Sequence, residues 1–150
     1  MLNSAMFSSD SSVWETPSEL FEHYNRIFRF DVDLAALWTN RKLPVYIPPA
    51  LDSLSQPWMK WGRVGWLNPP YGRGLGAWVK KAHEETKNGF TTVMLLPART
   101  DTSWFHDWIA DGRARITFLR GRIKFVGASN GAPFPSMIVV FDAKPVRKSD

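Results

Sequence analysis

Asn68-Pro69-Pro70-Tyr71, followed by Gly72, is the stretch whose residue types best suit chemistry. It ends a short apolar run, Val64-Gly65-Trp66-Leu67, that reads as a buried strand. A strand that stops in Asn-Pro-Pro places a stiff, donor-poor corner at the carboxyl edge of a sheet, where open α/β folds bind ligands. Neither proline has an N–H, so the corner offers mainly acceptors: the Asn68 side-chain oxygen and main-chain carbonyls. An exocyclic amino group has two hydrogens to donate, and such a corner can receive both. Tyr71 adds an aromatic face on which a planar base can stack. Together these features imply methylation of an amino group. A strand-ending turn with no further role is the plainer alternative, since Asn and Pro are ordinary turn residues.

The elements around this corner follow from apolar spacing. Thr16-Pro17-Ser18-Glu19 predicts a helix start, with Thr16 as N-cap, Pro17 at the first helical position and Glu19 closing a capping box. Leu20, Phe21, Tyr24, Ile27 and Phe28 then share one face. Phe30 to Asp33 reads as a strand, and the proline-rich span from Thr39 to Gln56 predicts little regular structure. After the strand ending at Leu67 comes a helix over Leu75 to Lys87, with Trp78, Val79 and Ala82 inward and Gly89 closing it. Thr91 to Leu96 is a strand stopped by Pro97, and Thr102 to Ala110 a short helix. Ile116 to Leu119 and Ser136 to Phe141 are predicted strands, with Arg122 to Val126 a further extended piece. Strands alternating with helices, then a run of strands, predict a mostly parallel sheet with a C-terminal antiparallel pair.

A length of 150 residues predicts one domain, over residues 14–143, flanked by a mobile tail at 1–13 and a basic tail at 144–150. A net charge of +5 favours an anionic partner, nucleic acid first among them. Cysteine is absent, which excludes disulfides and thiolate metal sites. The scattered His23, His83 and His106 have no metal-ligand spacing, so no metal is expected. No apolar run reaches membrane-spanning length; the expectation is a cytoplasmic protein, with monomer slightly favoured over an oligomer.

Five separated stretches carry a family resemblance. They are Trp14 to Pro17, Phe30 to Ala36, Trp66 to Gly72, Leu95 to Thr102 and Ala132 to Ser136. In this order they resemble the phage-type DNA adenine-N6 methyltransferases, which use S-adenosylmethionine, and the likeness runs from Trp14 to Phe141. It implies a Rossmann-like methyltransferase fold with helices on both faces of the sheet. It implies also that adenine leaves the duplex stack and lies on Tyr71, while Asn68 and the Pro69 carbonyl accept its amino hydrogens and Pro70 stiffens the turn. Broader relatives hold the methionine part of the cofactor with a Gly-rich turn after the first strand. Here Asp33-Leu34-Ala35-Ala36 stands in that place, with no glycine before Gly62.

Several further residues are candidates. Asp33 would contact the amino-acid or ribose part of the cofactor, or cap a helix; Asp31, two residues earlier, is the second choice. Asp52 would receive the cofactor's adenine amino group, or be a solvated loop acid. Trp14, Thr16 and Pro17 would cover the cofactor. Arg99 would bind phosphate and Asp101 cap the next helix. Arg122 and Lys124, with Arg120 and interleaved with Phe125, suit a nucleic-acid groove with a second stacking surface, or a solvated strand with one buried Phe. Phe134, between Pro133 and Pro135, would shape the target pocket or stiffen a turn. Alternative activities with the same residues are methylation of RNA adenine or of DNA cytosine-N4, and a catalytically silent nucleic-acid-binding remnant is a third.

Overall fold

The computed structural model describes residues 13–143, and both predicted tails lie essentially outside that range. Helix α1 (Ser18–Phe28) leads into strand β1 (Val32–Asp33), three short 3-10 turns, and strand β2 (Val64–Leu67). Helix α2 (Leu75–Glu85), a further 3-10 turn (Thr86–Asn88), strand β3 (Thr91–Pro97), a π-helical turn (Phe105–Ile109), and strands β4 (Arg115–Phe118) and β5 (Ser136–Phe141) complete the described chain. The sheet order is β1-β2-β3-β5-β4. β1–β2 and β2–β3 pair in parallel, β3–β5 and β4–β5 antiparallel. The expected mostly parallel sheet is therefore corrected to an even mixture. The reason is that β5 does not sit only beside β4 but inserts between it and β3, adding a second antiparallel seam.

β5 is buried along its whole length and β3 from its second residue onward, which accounts for their unbroken apolar runs. The pleat puts Trp66, Val93 and Val140 on one face of the sheet and Gly65, Thr92 and Phe141 on the other. Phe21 of α1 packs edge-on against Trp66, and His83 of α2 against Phe141, so the two helices cover opposite faces. Gly65 is required where it stands: a Cβ there would lie 2.7 Å from Leu34 Cδ1 and 2.8 Å from Phe90 Cζ.

Two local expectations are corrected. Pro17, not Thr16, occupies the N-cap position of α1, and no side chain caps that end, so the capping box does not form. Thr16 is instead buried, with its hydroxyl engaged elsewhere as described below. Ile27, at the edge of the apolar stripe, is 61% exposed. Arg122 to Val126 joins no strand of the sheet. Its amides go to other partners: Val126 N–H donates to the Glu15 carbonyl, and the Ile123 carbonyl accepts from Ala132 N–H. No helix among the described residues is long and apolar enough to cross a membrane.

Candidate active site

The parallel register of β1, β2 and β3 brings their carboxyl ends together, so Asp33, Asn68 and the chain after Pro97 share one edge of the sheet. A cavity of about 300 Å³ opens there. Its wall takes Trp14, Glu15 and Thr16 from the segment before α1, Asp33 from β1, and Lys42, Ile47, Asp52 and Ser53 from the long connection. Trp66, Asn68, Pro69, Pro70 and Trp78 close the other side.

Asn68 is held in one orientation. Its Nδ2 donates to the main-chain carbonyl of Trp14 in a short contact, and to Thr16 Oγ1 at 3.0 Å. The Trp14 carbonyl can only accept, which fixes the amide nitrogen on that side and excludes the flipped assignment. Asn68 Oδ1 is thereby left buried without a partner. Four other buried side-chain polar atoms among the described residues share that condition, on Trp61, Glu85, Thr92 and Ser136, but none of those residues lines the cavity. An unpaired buried carbonyl oxygen is costly, and one oriented by two donated hydrogen bonds is ready to accept an N–H.

Tyr71 is placed differently from the sequence expectation of an open stacking face. It is 6% exposed, outside the cavity wall, and its hydroxyl donates to the Leu95 carbonyl at 3.1 Å. Burial raises its pKa well above the ordinary phenol range, against a smaller opposing pull from the Arg99 charge. Its ring meets the edges of Phe134 at 5.7 Å and Phe125 at 6.5 Å, and both of those meet the Trp14 ring. Phe125 and Phe134 are buried in this aromatic cluster, so Phe125 follows the buried-Phe alternative rather than forming a second open stacking surface.

Exposed cations lie beside the cluster or next to it in the chain. The Arg99 guanidinium lies 5.8 Å from the Phe134 ring centre, Arg122 donates to the Ala132 carbonyl, and Lys124 precedes Phe125 in the chain. Among the described residues, Arg73, Arg99, Arg120, Arg122 and Lys124 have no carboxylate within ion-pair distance. Asp101 is exposed and does not cap the following turn; Thr102 does, accepting from Phe105 N–H at 3.3 Å. Two residues expected at the cofactor do not line the cavity. Pro17 is the N-cap residue of α1, and Asp31 Oδ2 accepts from the amides of Arg63 and Val64, pinning the start of β2.

Asp33 does line it, 3% exposed. Its Oδ1 accepts from Ala35 N–H and its Oδ2 from Lys42 N–H. Burial pushes its pKa up from 3.8 to about 6, with the two amides and the Lys42 charge opposing the rise. The folded protein thus holds a proton between about pH 4 and 6 that the unfolded chain has lost, and the stability from this group is lost as pH rises through 6. Relative to Asp33→Asn, which does not titrate, the parent is expected to gain about 2 kcal/mol between pH 7 and pH 4. Urea denaturation of both proteins at the two pH values checks this, and a gap that stays constant or widens the other way would refute it.

Sequence reasoning missed Glu15, Lys42 and Trp78 as wall residues. Trp78 was masked by its helical spacing, which equally marks a core residue. Lys42 sits in a connection without periodicity, where no pattern singles out an inward cation. Among the described residues no group of three or more His, Asp or Glu side chains could hold a metal.

A fixed amide oxygen without a partner, at the carboxyl end of a central strand and beside a cavity, is an arrangement that can receive an amino group. A sequence model of the DNA N-6-adenine-methyltransferase (Dam) family matches residues 3–147, and the chain belongs to that family. It is similar to a DNA N-6-adenine-methyltransferase of Haemophilus phage HP1, with 29% identity over 151 residues, covering 96% of this chain and 86% of the relative. A DNA N-6-adenine-methyltransferase of Escherichia phage T1 is 36% identical over 94 residues, 62% of this chain and 39% of the relative.

Proposed function

We propose that the chain is a phage- or prophage-encoded enzyme that transfers a methyl group from S-adenosylmethionine to N6 of adenine in DNA, on a reduced Rossmann-like methyltransferase fold. The observation that carries this reading is the buried, partnerless Asn68 Oδ1, locked by Trp14 and Thr16 at the cavity wall. A mainly apolar wall with a few convergent polar groups (Asp33, Lys42, Asp52, Asn68) suits a nucleoside cofactor. Bound there, the cofactor supplies an electrophilic methyl on a sulfonium centre.

The chain's own residues do the rest. Asn68 Oδ1 and the Pro69 carbonyl accept the two amino hydrogens of the flipped adenine. Nitrogen drawn into this geometry loses conjugation with the ring, and its lone pair turns toward the cavity. Positive charge grows on that nitrogen during transfer, and fixed carbonyl dipoles stabilise it without reorganising. The surplus proton leaves to solvent afterwards, so no buried general base is called for before attack. Tyr71, behind Phe134, forms the inner wall of the base site. Arg73, Arg99, Arg120, Arg122 and Lys124 contact phosphates around the flipped nucleotide, while Asp101 faces solvent on the same rim.

The test is transfer of labelled methyl from S-adenosylmethionine to unmethylated DNA, followed by digestion to nucleosides. The expected product is N6-methyladenine alone. Label recovered as N4-methylcytosine, or on RNA but not DNA, would replace the adenine-DNA reading.

A further inference from the structure

Lys42 is a cation built into the cavity wall. Its side chain is 12% exposed, whereas lysines ordinarily keep the ammonium in water. The ammonium has three hydrogens to donate, and its nearest carboxylate, Glu15 Oε2, lies 3.7 Å away. Holding a charge in a wall with one long ion pair costs desolvation that the pair does not offset. Asp33 is close by: its carboxylate accepts the Lys42 amide and feels the Lys42 charge. Two carboxylates and one ammonium therefore converge on one end of the cavity.

The turn after β1 has no amide left to give. Leu34 N–H donates to the Trp66 carbonyl, Ala35 N–H to Asp33 itself, Ala36 N–H to the Ile47 carbonyl, and Leu37 N–H to Asn40 Oδ1. A turn whose amides are all consumed cannot gather around a bound carboxylate, and the ammonium of Lys42 is the charged donor beside it. We propose that Lys42 binds the α-carboxylate of the cofactor's amino-acid end, with Glu15 and Asp33 receiving its α-ammonium. This rests on the reading of the cavity as the S-adenosylmethionine site. It assigns to a lysine in an irregular connection the task that backbone amides cannot perform here.

The test compares two nucleosides by titration calorimetry on the full chain. S-adenosylhomocysteine carries the amino-acid end and 5′-methylthioadenosine lacks it. In Lys42→Met, which keeps the alkyl stem, S-adenosylhomocysteine is expected to bind about ten- to a hundredfold more weakly, as for loss of a charge-assisted hydrogen bond. Binding of 5′-methylthioadenosine should change by less than about twofold, and Lys42→Arg should recover most of the loss. Equal weakening of both ligands would reduce Lys42 to a structural role and overturn the proposal, as would unchanged S-adenosylhomocysteine binding. A second comparison needs only the parent protein: the decarboxylated analogue of S-adenosylhomocysteine should bind at least about tenfold more weakly than the parent ligand. Equal binding of those two overturns the proposal even where Lys42→Met does not fold. If the parent protein binds neither S-adenosylhomocysteine nor 5′-methylthioadenosine, the cavity reading itself fails, a result distinct from either outcome above.

Discussion

Asn68→Ala is expected to lower the rate of methyl transfer by about a thousandfold, while the protein keeps its melting temperature within a few degrees and still binds cofactor. Removing one preorganised dipole from a developing charge costs on the order of 10²–10³ in rate. Here the same change also removes the group that fixes the amino nitrogen's geometry, which places the expectation at the upper end. The loss of stability is small because the change also removes a buried oxygen that has no partner, which offsets in part the two donated bonds to Trp14 and Thr16. Thr16→Val is the companion variant. It leaves the Asn68 amide in place but removes one of its two restraints, and a loss of about tenfold in rate is expected. Single-turnover transfer of labelled methyl measures both. An Ala variant within tenfold of the parent would remove Asn68 from the catalytic centre.

Trp66→Ala carries the largest expected effect on stability. Trp66 is 1% exposed, lies in the middle of β2, and meets Phe21 at 5.5 Å and Phe30 at 5.6 Å. Truncating a buried Trp leaves a cavity that rigid neighbours fill poorly, at a cost of about 3–5 kcal/mol. Native stabilities are on the order of 5–15 kcal/mol, so about a fifth of the total or more is at stake. Trp66 also lines the candidate cofactor cavity, so the variant should bind S-adenosylhomocysteine more weakly as well. Urea unfolding with an unchanged slope and a lower midpoint is the expected result; a midpoint shift worth less than about 1 kcal/mol would mean that the aromatic cluster repacks.

What could be read from the sequence was what local pattern controls. β2 and β5 run over the predicted residues, because each is an apolar run with Pro or Gly nearby, and β3 exceeds its prediction only by Pro97. Gly89, at φ 96°, ends the helical stretch after α2 where expected. Asn68 could be singled out because proline neighbours make its chemistry visible in the chain itself. Tyr71 shows the opposite case. Its residue type suggested an open face, but burial was decided by Phe125 and Phe134, distant in sequence. Thr16 had every local mark of a helix cap, yet a buried amide 52 residues away took its hydroxyl. The antiparallel insertion of β5 has no local signature either, since pairing partners are chosen by the assembled sheet.

That insertion has a consequence for the growing chain. β5 is the last of the five strands in sequence but the fourth in the sheet, flanked on both edges. Until it is made, β3 shows an unpaired apolar edge and β4 has no partner at all. The same late segment anchors the Arg99 loop, through Ala98 N–H on the Pro135 carbonyl, and supplies Phe134. Synthesis therefore passes through a stage in which most of the polypeptide exists, its stickiest edge is bare, and its active edge is unfinished. A ribosome stalled before Ser136 would release an aggregation-prone, inert product, so strand completion and enzymatic competence arrive as a single event.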